Sequence, residues 1–531
     1  MNPDALHTPD MTPEPEATLS MWIDTVDMPD FPNLGQQQLE AEICVVGAGI
    51  AGLTTAYLLA KAGKDVIVLD MAGIGSGQTG RTTAHLSSAI DDRFFEIERL
   101  HGLEASRLAA SSQLVAIDTI EEIVMSEGID CEFERLSGYL FLGPDDDETL
   151  LDQELEATHR AGQADVVKLP NAPLHAFHTG PVLMFPRQGQ FHPLKYLIGL
   201  AQAITRLGGR IFTYSKVEQL SGGLPCRIVT ASGGRVEARQ LVVATNTPIN
   251  NVVVMHTKQA AYRTYVLGYR VPRGSVEKGL YWDTPDPYHY IRVYSPLGQS
   301  YDVLIIGGED HKVGQSDDEA VSFGALQDWA RERFPMLHEL AWQWSGQVIE
   351  PVDGLPFAGH NPLKEDNVWL ITGDSGMGMT NCTIGALIVS DQILGRANPW
   401  AQLYDPARKT YRAALEFFRE NANVAVALVG DRLGPAEVMS VSEIQPGMGA
   451  LVHQRGQKLA VYRDEGGKLH ACSAKCTHLG CIVHWNTVEN TWDCPCHGSR
   501  FSVHGEVING PAHLPLKPAE VHDDFHPGMA G

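Results

Sequence analysis

The sequence predicts an α/β domain built around a dinucleotide-binding unit, followed by a small all-β domain. Residues 42–70 read as a strand, a glycine-rich turn, a helix and a second strand, which is the order of a nucleotide-binding βαβ unit. From about residue 435 onward, short strands and turns replace the helical patterns. The length of 531 residues also exceeds what one hydrophobic core usually supports, so more than one domain is expected.

Composition narrows the class of protein. Apolar residues make up 44% and charged residues 20% of the chain, as in ordinary globular proteins. The net charge of −25 argues against binding to nucleic acid or to anionic membrane surfaces. No apolar run approaches the ~18 residues of a membrane-spanning helix, and the acidic, proline-rich N-terminus lacks a secretion signal. We therefore expect a cytoplasmic protein without a transmembrane segment or nucleic-acid partner.

The first 38 residues are predicted to form a mobile N-terminal arm. They are rich in Pro, Asp, Glu, Thr and Gln and carry few residues that could form a core. Trp22 and Ile23 are the candidates for docking a short piece of this arm on the body of the protein.

The βαβ unit carries the pattern that a bound dinucleotide requires. Gly47, Gly49 and Gly52 follow the first strand, and Asp70 ends the second. The glycines let the backbone approach a pyrophosphate at the helix N-terminus, and the acidic side chain accepts hydrogen bonds from the ribose. A glycine-rich turn without a ligand is the alternative, but it would not need the acidic residue at this distance. The pattern alone leaves NAD and FAD open.

The run from Gly75 to Ala84 (GSGQTGRTTA) resembles the second motif of flavoproteins of the D-amino-acid oxidase family, the glycine/sarcosine oxidase-like enzymes. Further runs at residues 241–246, 351–356 and 373–379 resemble later motifs of that family in the same order, so the resemblance covers about residues 40–395. It implies FAD. The residues that it implies for holding FAD are Gly47, Gly49, Gly52, Asp70, Ser76, Thr79, Arg81, Thr82, Val217, Gly373, Gly376 and Met377.

The same resemblance implies the domain plan and the chemistry. A FAD-dependent oxidoreductase unit would occupy residues 39–400, with FAD-binding segments at about 39–95, 191–255 and 341–400. Between them, residues 96–190 and 256–340 would form an antiparallel-sheet substrate domain over the flavin. The family oxidises a C–H bond next to nitrogen by hydride transfer to the flavin, so a small amine or amino-acid-like substrate is expected.

Candidate catalytic residues lie on two predicted strands of that sheet. Alternation along residues 288–292 places Tyr288, Tyr290 and Arg292 on one face, which would suit a carboxylate-bearing substrate. Tyr265, with Arg263, forms a similar pair on a neighbouring strand. The catalytic candidates are therefore Tyr290, Arg292 and Tyr265. A solvated arginine flanked by half-buried aromatic residues remains the alternative reading of the pattern.

Two short runs near the C-terminus, residues 476–481 and 494–499, together carry four of the nine cysteines. Each run contains two cysteines and one histidine. They read Cys-x-His and Cys-x-x-His, and thiolates with imidazoles are ligands for iron–sulfur clusters or zinc. The runs resemble the Rieske signature, which implies a [2Fe–2S] cluster. The implied ligands are Cys476, His478, Cys494 and His497. The resemblance further implies a Cys481–Cys496 disulfide and a covering loop at Gly510-Pro511-Ala512. A helical connector over residues 401–434 would precede this domain at 435–525.

Together these motifs predict a flavin-dependent dehydrogenase. Its substrate would reduce FAD, and electrons would leave singly through the cluster to an external acceptor, either a protein or a quinone-like molecule. A Rieske oxygenase would need a mononuclear iron site, which in that family lies in a large domain after the cluster, whereas only about 34 residues follow His497 in this sequence. An electron-transfer component of an oxygenase system, linked to NAD(P)H or ferredoxin, and a non-enzymatic redox sensor remain the alternatives, although no second βαβ unit for NAD(P)H is found.

Overall fold

The computed structural model describes residues 18–249, 255, 257–313, 319–362, 365–409 and 437–521. The described residues form three regions. The first two regions lie within residues 18–409, and each of them is built on one large sheet. Their strands are β1 Gln38–Val46, β2 Val66–Leu69, β3 His85–Leu86, β4 Glu134–Phe141, β5 Val167–Leu169, β6 Val182–Gln190, β7 Arg210–Phe212, β8 Val217–Ser221, β9 Cys226–Thr230, β10 Arg235–Val243, β11 Gln259–Pro272, β12 Leu280–Asp283, β13 His289–Tyr294, β14 Tyr301–Lys312, β15 Glu339–Pro351, β16 Phe357–His360 and β17 Val368–Thr372.

The first sheet is doubly wound, as the βαβ pattern predicts. Its strands lie in the order β16-β17-β10-β1-β2-β7, and β8 and β9 extend from β10. The central neighbours β17, β10, β1, β2 and β7 run parallel. Strand β1 is buried along its second half because helices cover both faces of a parallel sheet.

Helices pack on both large sheets and between them. They are α1 Met21–Asp24, α2 Ile50–Lys61, α3 Phe94–His101, α4 Leu103–Glu127, α5 Thr149–Arg160, α6 Pro193–Arg206, α7 Glu319–Arg333 and α8 Gly378–Ile393. Helix α2 is apolar on nearly all sides, and ten of its twelve residues are buried, so it forms the centre of the α/β layer. Helix α6 begins at Pro193, which favours the first helical turn because its missing N–H is not needed there.

The second sheet has the strand order β15-β11-β14-β13-β12-β4-β6-β3, with β5 beside β6. It matches the predicted antiparallel sheet except at one place, where β12 and β4 run parallel. Strand β14 carries a bulge opposite Thr264, and Glu309 within it has a φ of 58°. The bulge changes which side chains of β14 face the first sheet, and this matters for the site below.

Part of the predicted mobile arm packs on the body of the protein at Trp22, one of the two positions expected to dock it. Met21 and Trp22 are completely buried, and Ser20 caps α1 by accepting a hydrogen bond from the Ile23 N–H. The Trp22 indole packs edge-on against His192 and Tyr294. One large aromatic side chain is enough to hold a polar segment once a pocket exists for it. Residues 1–17 lie outside the described residues.

The C-terminal region is a small all-β domain with two sheets. Its strands are β18 Gly449–Gln454, β19 Gln457–Arg463, β20 Leu469–Ser473, β21 His484–Asn486, β22 Thr491–Asp493, β23 Arg500–Phe501 and β24 Val507–Asn509. Strands β18–β20 form one antiparallel sheet and β21–β24 the other. The helical connector was predicted over residues 401–434. Residues 401–409 form turns, and residues 410–434 lie outside the described residues, so the helix stays a prediction.

Among the helices of the described residues, none combines the length and the apolar character that crossing a bilayer requires.

Candidate functional site

A cavity of about 630 Å³ lies where strands β1, β10 and β17 end, between the two large sheets. In open α/β sheets, ligands bind outside the carboxyl ends of parallel strands. The volume is in the range of cofactor and substrate sites, roughly 300–1,000 Å³. Eleven of the twelve residues predicted to hold FAD line this cavity. Gly52 is the exception.

Gly47 and Gly52 explain why the turn after β1 needs glycine. Gly47 has a φ of 112°, and a Cβ there would lie 2.3 Å from the carbonyl oxygen of Ala244. A Cβ at Gly52 would lie 1.9 Å from the carbonyl oxygen of Gly47. Gly52 therefore lets α2 pack tightly on the turn, and Gly47 brings the backbone to the cavity edge.

Asp70 and Thr79 hold the turn between them. The carboxylate of Asp70 accepts hydrogen bonds from the N–H groups of Ala48 (2.6 Å) and Ala72 (2.8 Å). Burial raises its pKa to about 6. The Thr79 hydroxyl accepts from the Ile50 N–H at 3.1 Å, in the first turn of α2. The helix N-terminus, where an anionic pyrophosphate would be stabilised, thus faces the cavity.

The loop of residues 75–84, which we call the flavin loop, is fixed by its backbone contacts. The Arg81 guanidinium donates to the carbonyl oxygens of Ser345 (2.9 Å) and Thr18 (2.8 Å). The Trp22 indole N–H donates to the carbonyl oxygen of Thr82 at 2.6 Å. The arm and β15 therefore hold the loop against the cavity.

Buried polar atoms in the cavity wall call for a ligand. The Thr247 hydroxyl and the Gln78 side-chain NH₂ are buried and line the cavity, and neither has a hydrogen-bond partner among the described residues. Unpaired buried polar groups are uncommon in folded proteins. A polar cofactor that supplies both donors and acceptors would satisfy them, so these residues fit FAD.

Strand β13 contributes two tyrosines to the opposite wall of the cavity. Tyr288 and Tyr290 both line it, and the Tyr290 hydroxyl lies 2.7 Å from that of Thr264. Gly307 lies beneath the Tyr290 ring. A side chain does not fit at this position because a Cβ would come within 2.2 Å of the ring. The prediction that Tyr290 faces the flavin region agrees with this placement, although its catalytic role stays a prediction.

Two carboxyl groups that the sequence did not reveal also line this wall. Asp91 follows the flavin loop and is hydrogen-bonded to Tyr288, and Asp310 is one of the two bulged residues of β14 that lie opposite Thr264. One carboxyl oxygen of Asp310 has no hydrogen-bond partner among the described residues. Burial raises the pKa of Asp91 to about 6 and that of Asp310 to about 7. The wall is therefore acidic, and its groups titrate near neutral pH.

Arg292 and Tyr265 require correction as substrate-binding candidates. The Arg292 guanidinium donates to the carbonyl oxygens of Thr83 (2.7 Å) and Ala84 (2.8 Å), lies over the Trp22 ring and does not line the cavity. Its contacts support the flavin loop from behind. Tyr265 lies on the other face of β11, 4.6 Å from Phe323 by ring centroids, because its neighbour Thr264 occupies the cavity face.

His85 lines the cavity with both ring nitrogens engaged. One lies 3.0 Å from the Thr83 hydroxyl and the other 3.3 Å from the carbonyl oxygen of Ile291. Burial lowers its pKa to about 3, so the ring is neutral.

Two loops of the C-terminal domain repeat the same backbone geometry. The Gly480 N–H donates to the carbonyl oxygen of Cys476 (2.9 Å), and the Gly498 N–H donates to that of Cys494 (3.0 Å). Both glycines have left-handed φ angles, 77° and 75°. Each loop therefore turns its cysteine and its histidine toward the same point, as a shared metal centre requires.

The predicted ligands meet in two pairs. Cys476 and Cys494 are buried, and the Cys494 thiol hydrogen-bonds to the Cys476 sulfur, which lowers the pKa of Cys476 to about 7. The rings of His478 and His497 lie 4.9 Å apart by centroids. Cys481 and Cys496 form a disulfide whose sulfurs lie within 4.8 Å of Cys494 Sγ. Since disulfide sulfurs are poor ligands, the donor set is two thiolates and two imidazoles, which fits a Rieske [2Fe–2S] cluster.

Phe501 gives a first test of the cluster environment. In cytochrome bc-type Rieske proteins, which the motif resembles, a tyrosine at this place bonds a cysteine ligand; Phe501 is completely buried and offers no such donor. Hydrogen bonds to cluster sulfur stabilise the more negative reduced state. We expect Phe501→Tyr to raise the midpoint potential measured by redox titration. An unchanged or lower potential would contradict this account.

The C-terminal domain packs directly on the cavity. Gln347 of β15 donates to the carbonyl oxygen of Gly498 at 2.7 Å, next to the predicted ligand His497. A Cβ at Gly498 would lie 2.2 Å from that of Ala261. Residues 507–510, Ala512 and His513 line the same cavity as the FAD motifs.

The fold and these two sites define a flavin-dependent oxidoreductase with an iron–sulfur domain. The model of the FAD dependent oxidoreductase family matches residues 42–392, and that of the Rieske [2Fe-2S] domain matches residues 434–520. The chain belongs to the FAD-dependent oxidoreductase family and carries a C-terminal Rieske domain. The predictions of fold class, FAD and a [2Fe–2S] cluster are confirmed, whereas the individual site residues and domain boundaries stay predictions.

Similar proteins share this architecture in full or in part. A Bacillus subtilis protein described as a Rieske 2Fe-2S iron-sulfur protein, YhfW, is 32% identical over 94% of this chain and 97% of its own length. The gamma-glutamylputrescine oxidoreductase of Escherichia coli is 26% identical over 68% of this chain and 85% of its own. The glycine oxidase of Geobacillus kaustophilus superposes with a TM-score of 0.58 at 18% identity, over 70% of this chain and 99% of its own.

Proposed function

We propose that the protein is an amine dehydrogenase whose electrons leave through its own Rieske cluster. FAD supplies two-electron oxidation of a C–H bond next to nitrogen, and the cluster supplies one-electron transfer to an external acceptor. The chain's own residues bind and orient the amine and hold the two redox domains together.

One observation carries this proposal: a single cavity is lined both by the FAD motifs and by the Rieske loop of residues 507–513. An oxidase that returns electrons to oxygen needs no cluster beside its flavin site. The hydrogen bond from Gln347 to Gly498 brings a cluster loop against a residue of the same cavity wall. This arrangement supports direct delivery of electrons from the flavin site to the cluster.

The acidic wall supports an amine rather than an amino acid as substrate. Asp91 and Asp310 face the cavity near Tyr288 and Tyr290, and Arg292, which was expected to bind a carboxylate, is turned away. A carboxylate-bearing substrate would be repelled there, whereas an ammonium group would be stabilised by ionised aspartates. The gamma-glutamylputrescine oxidoreductase of Escherichia coli, which is similar to this chain, is likewise named for a substrate with a putrescine moiety.

Asp310→Asn should raise KM for an amine substrate about tenfold, the effect of losing ~1.4 kcal/mol of ion-pair energy. The direction in which kcat/KM changes with pH also follows from these carboxyl groups. Binding of an ammonium needs the ionised carboxylate, so wild-type kcat/KM should rise with pH through the pKa values of about 6 and about 7 of Asp91 and Asp310.

The variant should lose the part of this rise that belongs to Asp310, near its pKa of about 7. Asp328→Asn, an exposed position on α7, serves as the matched control and should behave as wild type. An Asp310→Asn enzyme with wild-type KM and pH profile would exclude Asp310 from substrate binding.

The experiment for the function itself is an anaerobic panel. Monoamines, diamines, amino acids and NAD(P)H are added to the holoprotein while flavin absorbance and the EPR signal of the reduced cluster are followed together. We expect amines to bleach the flavin and then reduce the cluster. Bleaching by NAD(P)H or by amino acids alone would favour a different electron donor and contradict the proposal.

A further inference from the structure

A buried glutamate joins the two redox domains. Glu489 lies in the turn between β21 and β22 of the Rieske domain and is only 1% exposed. Glutamate is almost never fully buried unless it is paired. Among the described residues, its carboxylate contacts Thr18, Ser345, Arg81 and Arg263, which lie outside the Rieske domain, so its role concerns how the two domains are held together.

Four groups of the FAD-binding and substrate regions converge on this carboxylate. The hydroxyls of Thr18 (2.9 Å) and Ser345 donate hydrogen bonds to it. The guanidinium groups of Arg263 and Arg81 lie 3.7 Å and 4.0 Å away. Both arginines are themselves buried, so the attraction acts where solvent screening is weak.

Side-chain hydrogen bonds brace the turn that carries Glu489. The Asn486 side chain accepts hydrogen bonds from the N–H groups of Val488 (3.1 Å) and Glu489 (2.9 Å) and donates to Asp493 (3.0 Å). Asp493 in turn accepts from Arg500 at 2.8 Å. The carboxylate is therefore held in place by its own domain before it meets its partners, which favours strong and specific docking.

The partners of Glu489 are parts of the flavin site. Arg81 ends the 3₁₀ turn of the flavin loop and lines the cavity, and Ser345 lies on β15, two residues before Gln347. Gln347 contacts Gly498 beside the predicted ligand His497. One carboxylate thus links the flavin loop to the domain that holds the cluster.

We propose that Glu489 is a positioning residue that clamps the Rieske domain on the flavin loop and keeps the cluster at a fixed place beside FAD. The cluster then acts as a stationary electron outlet and does not move between two docking positions. Its effect on electron transfer rests on the proposed function, but the docking does not. Reduced FAD gives up its two electrons to the cluster one at a time and releases its proton to solvent, and the external acceptor of the proposed function re-oxidises the cluster between the two transfers.

The test uses Glu489→Gln in the full-length holoprotein, with Glu520→Gln as the matched control at an exposed position of the same domain. The substitution takes one carboxylate charge away from beside two buried arginines, which weakens docking. Hydrogen exchange should become faster in residues 343–348 and 494–500, which meet at the interface. In the control it should match the wild type.

Electron transfer is measured without relying on any substrate. A deazaflavin with EDTA photoreduces FAD anaerobically, and the cluster EPR signal is then followed. In Glu489→Gln the rate of cluster reduction should fall about tenfold or more, as for loss of one partner of a buried charge pair. The midpoint potential of the cluster should stay at the wild-type value, which separates a change of position from a change of driving force.

Arg263→Gln keeps the proposal testable if Glu489→Gln fails to fold, and a double variant is added if Glu489→Gln does fold. Arg263→Gln removes one cation and should weaken docking less, since Arg81 remains. In the double variant Arg263→Gln/Glu489→Gln the two effects should not add, because the residues interact. Unchanged hydrogen exchange in these variants would overturn the clamp. A wild-type cluster that FAD never reduces would instead refute the proposed function and leave the exchange test to decide on the clamp.

Discussion

Cys494→Ser is expected to remove the [2Fe–2S] cluster. Cys494 is buried beside Cys476 at the point where the two cluster loops meet, and a serine hydroxyl is a poor ligand for iron at neutral pH. The purified variant should retain FAD but lose iron, acid-labile sulfide and the Rieske EPR signal. An amine should still bleach its flavin, while reduction of a one-electron acceptor falls to background.

Cys472→Ser is the matched control for this loss. Cys472 is also buried in the Rieske domain, but its sulfur contacts the carbonyl oxygen of His504 (3.4 Å) and lies outside the two loops. This variant should keep its iron and its EPR signal. A Cys494→Ser protein with full iron content and an unchanged spectrum would show that the cluster ligands are assigned wrongly.

Gly47→Ala is expected to abolish FAD binding. The added Cβ would lie 2.3 Å from the carbonyl oxygen of Ala244, in a backbone conformation with a φ of 112° that alanine strongly disfavours. The strain is about 3 kcal/mol or more, which is over a hundredfold in any equilibrium that depends on this turn. The turn must move away from the cavity edge, so the protein should purify colourless at the flavin wavelengths.

Gly324→Ala provides the comparison for this prediction. Gly324 lies in α7 with nothing within 4 Å of an added Cβ. Alanine is the better helix former by about 1 kcal/mol, so the melting temperature should stay the same or rise. If Gly47→Ala binds FAD with wild-type affinity while folding normally, the turn after β1 does not approach the cofactor as described.

The sequence was most informative where local backbone geometry decides the function. Particular residues at fixed spacing are needed in the turn after β1, in the flavin loop and in the two cluster loops. These motifs could therefore be recognised from the sequence without a structure. The second strand of the βαβ unit, predicted to end at Asp70, is β2 and ends at Leu69 in the structure. The same reasoning predicted the cluster ligands Cys476, His478, Cys494 and His497. In the structure the two cysteines contact each other, and the two histidine rings lie side by side.

Side-chain alternation was less informative, because it tells which residues share a face but not what lies above them. Tyr290 and Arg292 do share a face of β13, yet only Tyr290 lines the cavity. Arg292 lies farther along the strand, beneath the carbonyl groups of Thr83 and Ala84. For Tyr265, alternation left open which face of β11 meets the flavin.

Two important acidic residues could not be found from the sequence. Asp310 faces the cavity because the bulge in β14 shifts the alternation there, and Glu309 instead pairs with His289 on the other face. Glu489 is a single acidic residue in a turn. Its proposed role depends on contacts with Thr18, Ser345 and the two arginines, which are distant in the sequence. Tertiary contacts of this kind leave no local pattern.

The most direct test of the central claim is a rapid freeze-quench experiment on the anaerobic holoprotein. A single turnover is started with an amine that bleaches the flavin, and flavin absorbance and the Rieske EPR signal are recorded on the same samples. The account predicts that the cluster signal grows as fast as turnover and that flavin absorbance partly recovers as it does so. A flavin that stays fully reduced beside a cluster that stays oxidised throughout turnover would contradict it.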